Sequence, residues 1–341
     1  MDYVEGRILT DHGFEKGYIG FSSDGIQEQG NGLAPKKPKA RGIIIPSCIN
    51  AHTHIGDSFI RFKNINLPKD IEKLVAPPHG FKHTLLSKAS NTEIIAGMKH
   101  AINEMISMGT SSFCDFREQG IKGLKQLHSA VAHQNITGII FSRPLQMNYD
   151  KNEIDMLLKH SDGIGLSSVS DWEFSEIKKI AAHTKRTKKK FVLHASEAFR
   201  EDIDMILDLK PDFLIHMTQA SLSDLCRVRD ENISVVLCPR SNAFFHLNLD
   251  VERMKQSKVN LLLGTDNAMI NSPNVLEEAQ YLLKNSNVFS PQELLDMITY
   301  SPRKVLNLDD CIQGLNRSST IVTVEEKSLR PLYIKISGGT E

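Results

Sequence analysis

The segment GIIIPSCINAHTH (residues 42–54) decides how this chain folds. It is a run of β-branched residues that ends in polar ones and closes on two histidines, His52 and His54. A short apolar run without alternation suits a strand buried on both faces. The strand read here spans 42–50, and seven similar runs follow: 110–116, 137–144, 163–170, 190–197, 212–219, 234–242 and 260–268. Most are separated by helical stretches. In 91–108, Ile94, Met98, Ala101, Ile102 and Met105 form one apolar stripe, Ser90 and Glu93 have the spacing of an N-terminal cap, and Gly109 ends the helix. Ser221 and Asp224 repeat that spacing, and FSEIKKIAAHTKRTKK, NVLEEAQYLLK and PQELLDMITYSPRKVLNL supply further helices. An α/β chain that alternates strand and helix eight times predicts a (β/α)8 TIM barrel. An open doubly wound sheet is the competitor, but no GxGxxG follows the first strand.

The ends read differently. Residues 1–41 hold two strand-like pieces around the turn DHG, and residues 319–341 hold TIVTVE and PLYIKIS. The expectation is that 1–41 and 319–341 pair into a small auxiliary β-sheet beside a barrel over 42–318.

Composition excludes several classes. Of 341 residues, 40% are hydrophobic and 24% charged, a globular balance. The 41 basic and 41 acidic side chains cancel, so no global attraction to nucleic acid or membrane is expected. No apolar run approaches the roughly 20 residues of a membrane span. MDYVEGRILT has no apolar core of a signal peptide, and five cysteines without a CxxC pair suit reduced thiols. The expected setting is cytoplasmic.

The chemistry lies at the strand ends. His52 and His54 follow the first strand, His194 lies near the C-terminal end of the fifth, His216 takes the same place in the sixth, and Asp266 follows the eighth. In a barrel of this kind these ends share one face. Two histidines at i and i+2 on an extended segment point to one side. A third histidine and a carboxylate complete a nitrogen and oxygen set suited to zinc or another divalent metal, with a position left for water. One HxH among 13 histidines is weak evidence. Four donors at the ends of three strands are harder to explain as ordinary loop residues.

These segments carry a resemblance. GIIIPSCINAHTH, LHASE, LIHMTQ, CPRSN, LGTDNA and ITYSPRKVLNL resemble, in that order, the signatures of the amidohydrolase superfamily, in its cytosine deaminase and chlorohydrolase-like branch. The resemblance implies that His52, His54, His194 and Asp266 hold one metal ion, zinc or alternatively iron. It implies that Glu197 is the acid/base residue of an HxxE motif and that His216 polarises substrate or steers hydroxide. Two-metal members carry a lysine at the end of the fourth strand, and GIGLSSVS has none. A homodimer is expected by the same analogy. The β-rich ends are short for this branch.

The function so read is hydrolysis of a carbon–nitrogen bond, with metal-bound hydroxide attacking an electrophilic carbon and Asp266 serving as ligand and proton acceptor. The leading substrate is an amino-substituted purine-, pyrimidine- or pterin-like heterocycle that loses ammonia. Amide or ring-opening hydrolysis and dechlorination are the alternatives at the same site. A silent metal-binding barrel acting as scaffold or sensor is the alternative of another class, and intact Glu197 and His216 speak against it. For substrate contacts the sequence offers His79 and His83 in the long segment 55–90, Arg117 and Arg143 after the second and third strands, and Trp172 past the fourth. Paired arginines suit an anionic or carbonyl-rich substrate, or else ion pairs with Asp115 and Glu118. Cys114 and Cys238 are read as packing residues, and KRTKKK (185–190) as a solvated helix end rather than a nucleic-acid patch.

Overall fold

The computed structural model describes residues 1–77, 79–308 and 320–336. The chain opens with β1 (Asp2–Thr10), β2 (Gly13–Ser22), β3 (Gly25–Asn31) and β4 (Ala40–Pro46). It continues with β5 (Cys48–His54), β6 (Thr110–Arg117), β7 (Thr137–Ser142), β8 (Gly163–Leu166) and β9 (Lys190–Ala195). Then come β10 (Phe213–His216), β11 (Ser234–Leu237), β12 (Leu261–Leu263) and β13 (Asp266–Asn267), and finally β14 (Ile321–Val324) and β15 (Pro331–Lys335).

Two sheets result. The smaller has the order β15-β14-β4-β1-β2-β3, so strands from both ends of the chain share it. The larger is parallel throughout, β12-β11-β10-β9-β8-β7-β6-β5-β13. Its two edges, β12 and β13, are separated along the chain only by Gly264 and Thr265. Thr265 donates its backbone N–H to the carbonyl of His52 at 2.9 Å, and Gly264 donates to Leu237 at 3.0 Å. One interrupted segment therefore reaches both neighbours, and the sheet curls round to meet itself. Gly264 is required there, because a Cβ would sit 2.6 Å from the Cβ of His52.

The stretch 42–50 is not one strand of the large sheet, as the sequence suggested. It breaks at Ser47. Residues up to Pro46 pair with β1 and β14 in the small sheet, and residues from Cys48 pair with β6. Proline lacks the N–H that would continue a ladder. Ser47 pins the junction, its hydroxyl accepting from Arg303 and from Ser111 at 2.7 Å each. The run is apolar throughout because β4 is covered on both faces. Ile44 packs with Val4, Ile8, Ile19 and Phe21 in the small sheet's own core. Ile43 and Ile45 point the other way, into the main core.

Inside the large sheet, Ile49, Ala51, Phe116, Phe141, Val192, Phe213, Ile215, Val236 and Leu262 fill the interior. Many of them alternate along their strands, as strand geometry requires. The outer faces pack against helices. Ser90 caps helix Asn91–Ser107 by accepting from Glu93 N, and Ser221 with Asp224 forms a full capping box on helix Leu222–Asp230. The stretch read as PQELLDMITYSPRKVLNL is two helices, Pro291–Asp296 and Tyr300–Leu306. Pro302 is accommodated because it falls in the first turn of the second helix, where its missing N–H has no partner to lose. In the 185–190 cluster, Lys185 reaches the carbonyl of Lys210, and Lys189 those of Leu158 and Ser161, so two of these lysines serve neighbouring chain segments. No helix among the described residues is long and apolar enough to cross a membrane.

Candidate active site

The ends of β5, β9, β10 and β13 meet at the floor of one cavity of about 280 Å³. The register of β5 against β6 shifts between Asn50 and Thr53. Beyond that shift His52 and His54 join the cluster, their ring centroids 4.9 Å apart. His194 follows Val192 on the inward side of β9. Just past β9, at the end of β10 and at the start of β13, Ser196, His216 and Asp266 adopt left-handed backbone angles, with φ of 47°, 74° and 59°. Such angles cost energy for these residue types and recur where a side chain must be aimed.

His52 Nε2 lies 3.3 Å and His54 Nε2 3.6 Å from Asp266 Oδ1. Ring nitrogens of His52, His194 and His216 lie within 4.8 Å of one another, and so do donor atoms of Glu197, His216 and Asp266. The hydrogen bonds around the rings decide which nitrogens carry protons. His54 Nδ1 faces the carbonyl of Phe116 and Oε1 of Glu118, both at 3.0 Å. His194 Nδ1 faces the carbonyl of Leu166 at 2.7 Å. Facing acceptors, each Nδ1 holds the proton, which leaves both Nε2 atoms bare. Those two atoms are 3.4 Å apart with no proton to share. A cation between them relieves the repulsion of their lone pairs, and Asp266 adds negative charge at the same point. The donor set therefore fits a divalent metal that accepts nitrogen and oxygen ligands.

Burial sets the charge states. It lowers His54 to about 4, helped by Lys82, and His216 to about 3, so both rings are neutral at pH 7. Burial also raises the carboxyl of Glu197 well above its ordinary range, and the Asp266 carboxylate adds to this. Glu197 thus keeps its proton, with Oε2 3.3 Å from His216 Nε2. Burial pushes Asp266 upward as well, but its hydrogen bond with His52 leads the opposing contributions and holds the carboxyl well below its ordinary range. One carboxyl that keeps its proton beside one that has lost it is the arrangement acid/base chemistry needs.

The structure brings His52, His54, His194, His216, Glu197 and Asp266 together and sorts the residues suggested for substrate contact. Arg143 lines the cavity, and among the described residues its guanidinium has no hydrogen bond or close ion pair. Arg117 does not line it. Arg117 is buried beneath the site, paired with Glu118 and with Asp115 at 3.4 Å. A neighbouring glycine, Gly56, makes room for its guanidinium. Trp172 packs in the main core and donates to Ser167 Oγ at 3.0 Å. His79 is exposed, and His83 turns away to the carbonyl of Val75 at 3.1 Å. The segment 55–90 reaches the cavity instead through Ile71, Val75, Pro77 and above all Lys82. Lys82 donates to Glu118 Oε1 at 2.7 Å and to Asn267 Oδ1 at 3.1 Å. Nothing in the sequence singled it out, since its partners are 36 and 185 residues away. Ser241, which donates to Asp266 Oδ2 at 2.6 Å, also escaped sequence reasoning, although it lies inside the CPRSN motif.

Comparison with known proteins agrees with this geometry. The sequence profile of the amidohydrolase family matches residues 43–312. An uncharacterised protein of Methanocaldococcus jannaschii is 36% identical over 79% of this chain and 75% of its own length. A putative aminohydrolase of Methanothermobacter thermautotrophicus is 30% identical over 88% of this chain and 83% of its own. The crystal structure of an adenosine deaminase from Xanthomonas campestris with bound zinc superposes with a TM-score of 0.73 at 16% identity, covering 94% of this chain and 84% of that one. The fold and the site define a hydrolase acting on carbon–nitrogen bonds. The chain belongs to the amidohydrolase family.

Proposed function

We propose that this protein is a mononuclear metal-dependent deaminase that releases ammonia from an amino-substituted heterocycle. In this reading β5 to β13 form a closed (β/α)8 barrel, with β12 and β13 as halves of its eighth strand. His52, His54, His194 and Asp266 hold one zinc ion. The convergence of these four with Glu197 and His216 on one cavity floor carries the reading.

A divalent cation held there supplies Lewis acidity, which makes hydroxide available from water near neutral pH. The chain's own groups do the rest. Asp266, kept ionised chiefly by its hydrogen bond with His52, would accept the proton lost by the attacking water. Glu197, kept protonated, passes a proton to the ring nitrogen or the leaving amine. Such a positioned acid/base contributes about 10²- to 10⁴-fold in rate. Neutral His216, beside Glu197, hydrogen-bonds the oxygen of the forming tetrahedral carbon. Arg143, whose guanidinium has no hydrogen bond among the described residues, favours a substrate that carries an anionic or carbonyl group away from the reacting carbon. The apolar wall of Ile71, Val75, Pro77 and Phe199 suits a planar ring.

The test is ammonia release by zinc-loaded protein over a panel of aminopurines, aminopyrimidines and aminopterins, with Glu197→Gln as control. Release by wild type, with loss in a variant that keeps its zinc, supports the reading. Zinc binding without ammonia release from any ring overturns deamination and moves attention to amides and cyclic imides.

A further inference from the structure

Beneath His54 a group of charged side chains is buried together. Lys82, Arg117, Asp115 and Glu118 are each at most 4% exposed. Glu118 is at the centre. Its Oε1 meets His54 Nδ1 at 3.0 Å and Lys82 Nζ at 2.7 Å, and its Oε2 meets Arg117. An ion-pair staple is one account of the group. Burying this much charge is a poor way to hold a fold, because the lost solvation offsets most of the attraction.

We propose that Glu118 is a positioning residue, the carboxylate that acts together with the Phe116 carbonyl to fix the proton and the ring orientation of His54, so that its bare Nε2 faces the other donors. Arg117, on Oε2, holds that carboxylate in place, whereas Lys82 shares Oε1 with His54 and draws on its charge. The inference rests on the metal reading of the site and concerns a residue that does not itself touch the ion. A carboxylate behind a ligating histidine raises the donor strength of its free nitrogen, and its loss weakens metal binding roughly 10- to 100-fold. Lys82 acts in the opposite sense, since an ammonium near a cation repels it. The two members of one ion pair therefore have opposite effects on metal affinity. In a staple that only holds the fold, both substitutions act in the same direction.

The experiment measures zinc affinity by chelator competition on the full chain for wild type, Glu118→Gln, Lys82→Met and the double variant, with thermal melting of the metal-free forms alongside. Glu118→Gln is expected to weaken zinc binding roughly 10- to 100-fold, and Lys82→Met to leave it unchanged or tighter. Equal losses in both single variants, or wild-type affinity in Glu118→Gln, overturn the proposal and leave the metal reading standing. If Glu118→Gln fails to fold, the comparison of the double variant with Lys82→Met decides, because both lack the cation. Weaker zinc binding in the double variant supports the proposal, and equal binding overturns it. A wild-type protein that takes up no zinc overturns the metal reading and this proposal with it.

Discussion

Ser241 donates its hydroxyl proton to Oδ2 of Asp266 at 2.6 Å and thereby leaves Oδ1 to face His52 and His54. Both residues are buried, and the two oxygens of one carboxylate are assigned to different tasks. Replacing Ser241 by Ala leaves Oδ2 without this partner in the interior, so that the carboxylate is held only through Oδ1, by Asn267 Nδ2 at 2.9 Å and by His52. A hydrogen bond to a charged group contributes about 1.5–3 kcal/mol. Ser241→Ala should lose metal affinity or turnover by roughly 10- to 100-fold, with unfolding stability reduced by about 2 kcal/mol. Chelator competition and urea unfolding measure the two effects separately. Wild-type values in both would mean that Asp266 is held without Ser241.

Gly56 lies against the guanidinium of Arg117 so closely that a Cβ there would stand 2.0 Å from Nη1. The end of an exposed arginine would swing aside, but this one is fixed between Asp115 and Glu118. Gly56→Ala must therefore break a buried pair or push the backbone. Overpacking costs about 1–3 kcal/mol, and a broken buried pair about 3–5. The predicted loss is about 3 kcal/mol or more, read from the denaturant midpoint. A loss under about 1 kcal/mol would show that the guanidinium has room to move.

Asp224 caps helix Leu222–Asp230 and takes two hydrogen bonds from Arg200, at 2.7 and 2.8 Å. The bonds from Arg200, opposed by burial and aided by Ser221, hold its carboxyl down to about 2. Because the folded value lies below the unfolded value near 3.9, the contribution is complete above about pH 4 and disappears as pH falls towards 2. Asp224→Asn should destabilise by about 1–2 kcal/mol at pH 7, a figure that allows for solvent screening at the exposed Arg200. The difference from wild type should shrink through pH 4 to 2. A difference independent of pH would attribute the effect to packing.

Cys48, Cys114 and Cys238 are buried, whereas Cys226 is partly exposed. Burial pushes the Cys48 thiol up to about 12, with Arg303 opposing, and raises Cys114 and Cys238 as well. In native protein these three should resist a thiol reagent until unfolding, and of these four cysteines Cys226 should label first, as peptide mapping would show. Rapid native labelling of Cys238, whose carbonyl precedes the helix that carries Ser241, would mean that this region opens.

The strand runs and the site's donors could be read from the chain because each depends on local pattern. Apolar runs ending in His194, His216 and Asp266 place these residues on one face once the alternation is seen. The break at Ser47 was hidden because Ile43, Ile44, Ile45 and Pro46 of β4 and the whole of β5 are buried, so burial does not change across the junction. The long connection 55–90 drew attention to His79 and His83, yet Lys82 is the residue that reaches in. What sets Lys82 apart is its pairing with Glu118 and Asn267, a property of the folded chain alone. For Arg117 the sequence left two readings open, a substrate contact or ion pairs with Asp115 and Glu118, and only the folded placement of those acids and of Gly56 selects the second.

The pairing of Asp266 and Asn267 with Thr53 and His54 joins positions more than 200 residues apart. Contacts of such separation form only after the intervening chain has been ordered. His52 and His54 are therefore in place before Asp266 joins them, and β13 is the last strand to enter the larger sheet. If the cluster holds an ion, as proposed, one captured before that moment would meet only part of its final shell, and loading would be a late event of folding.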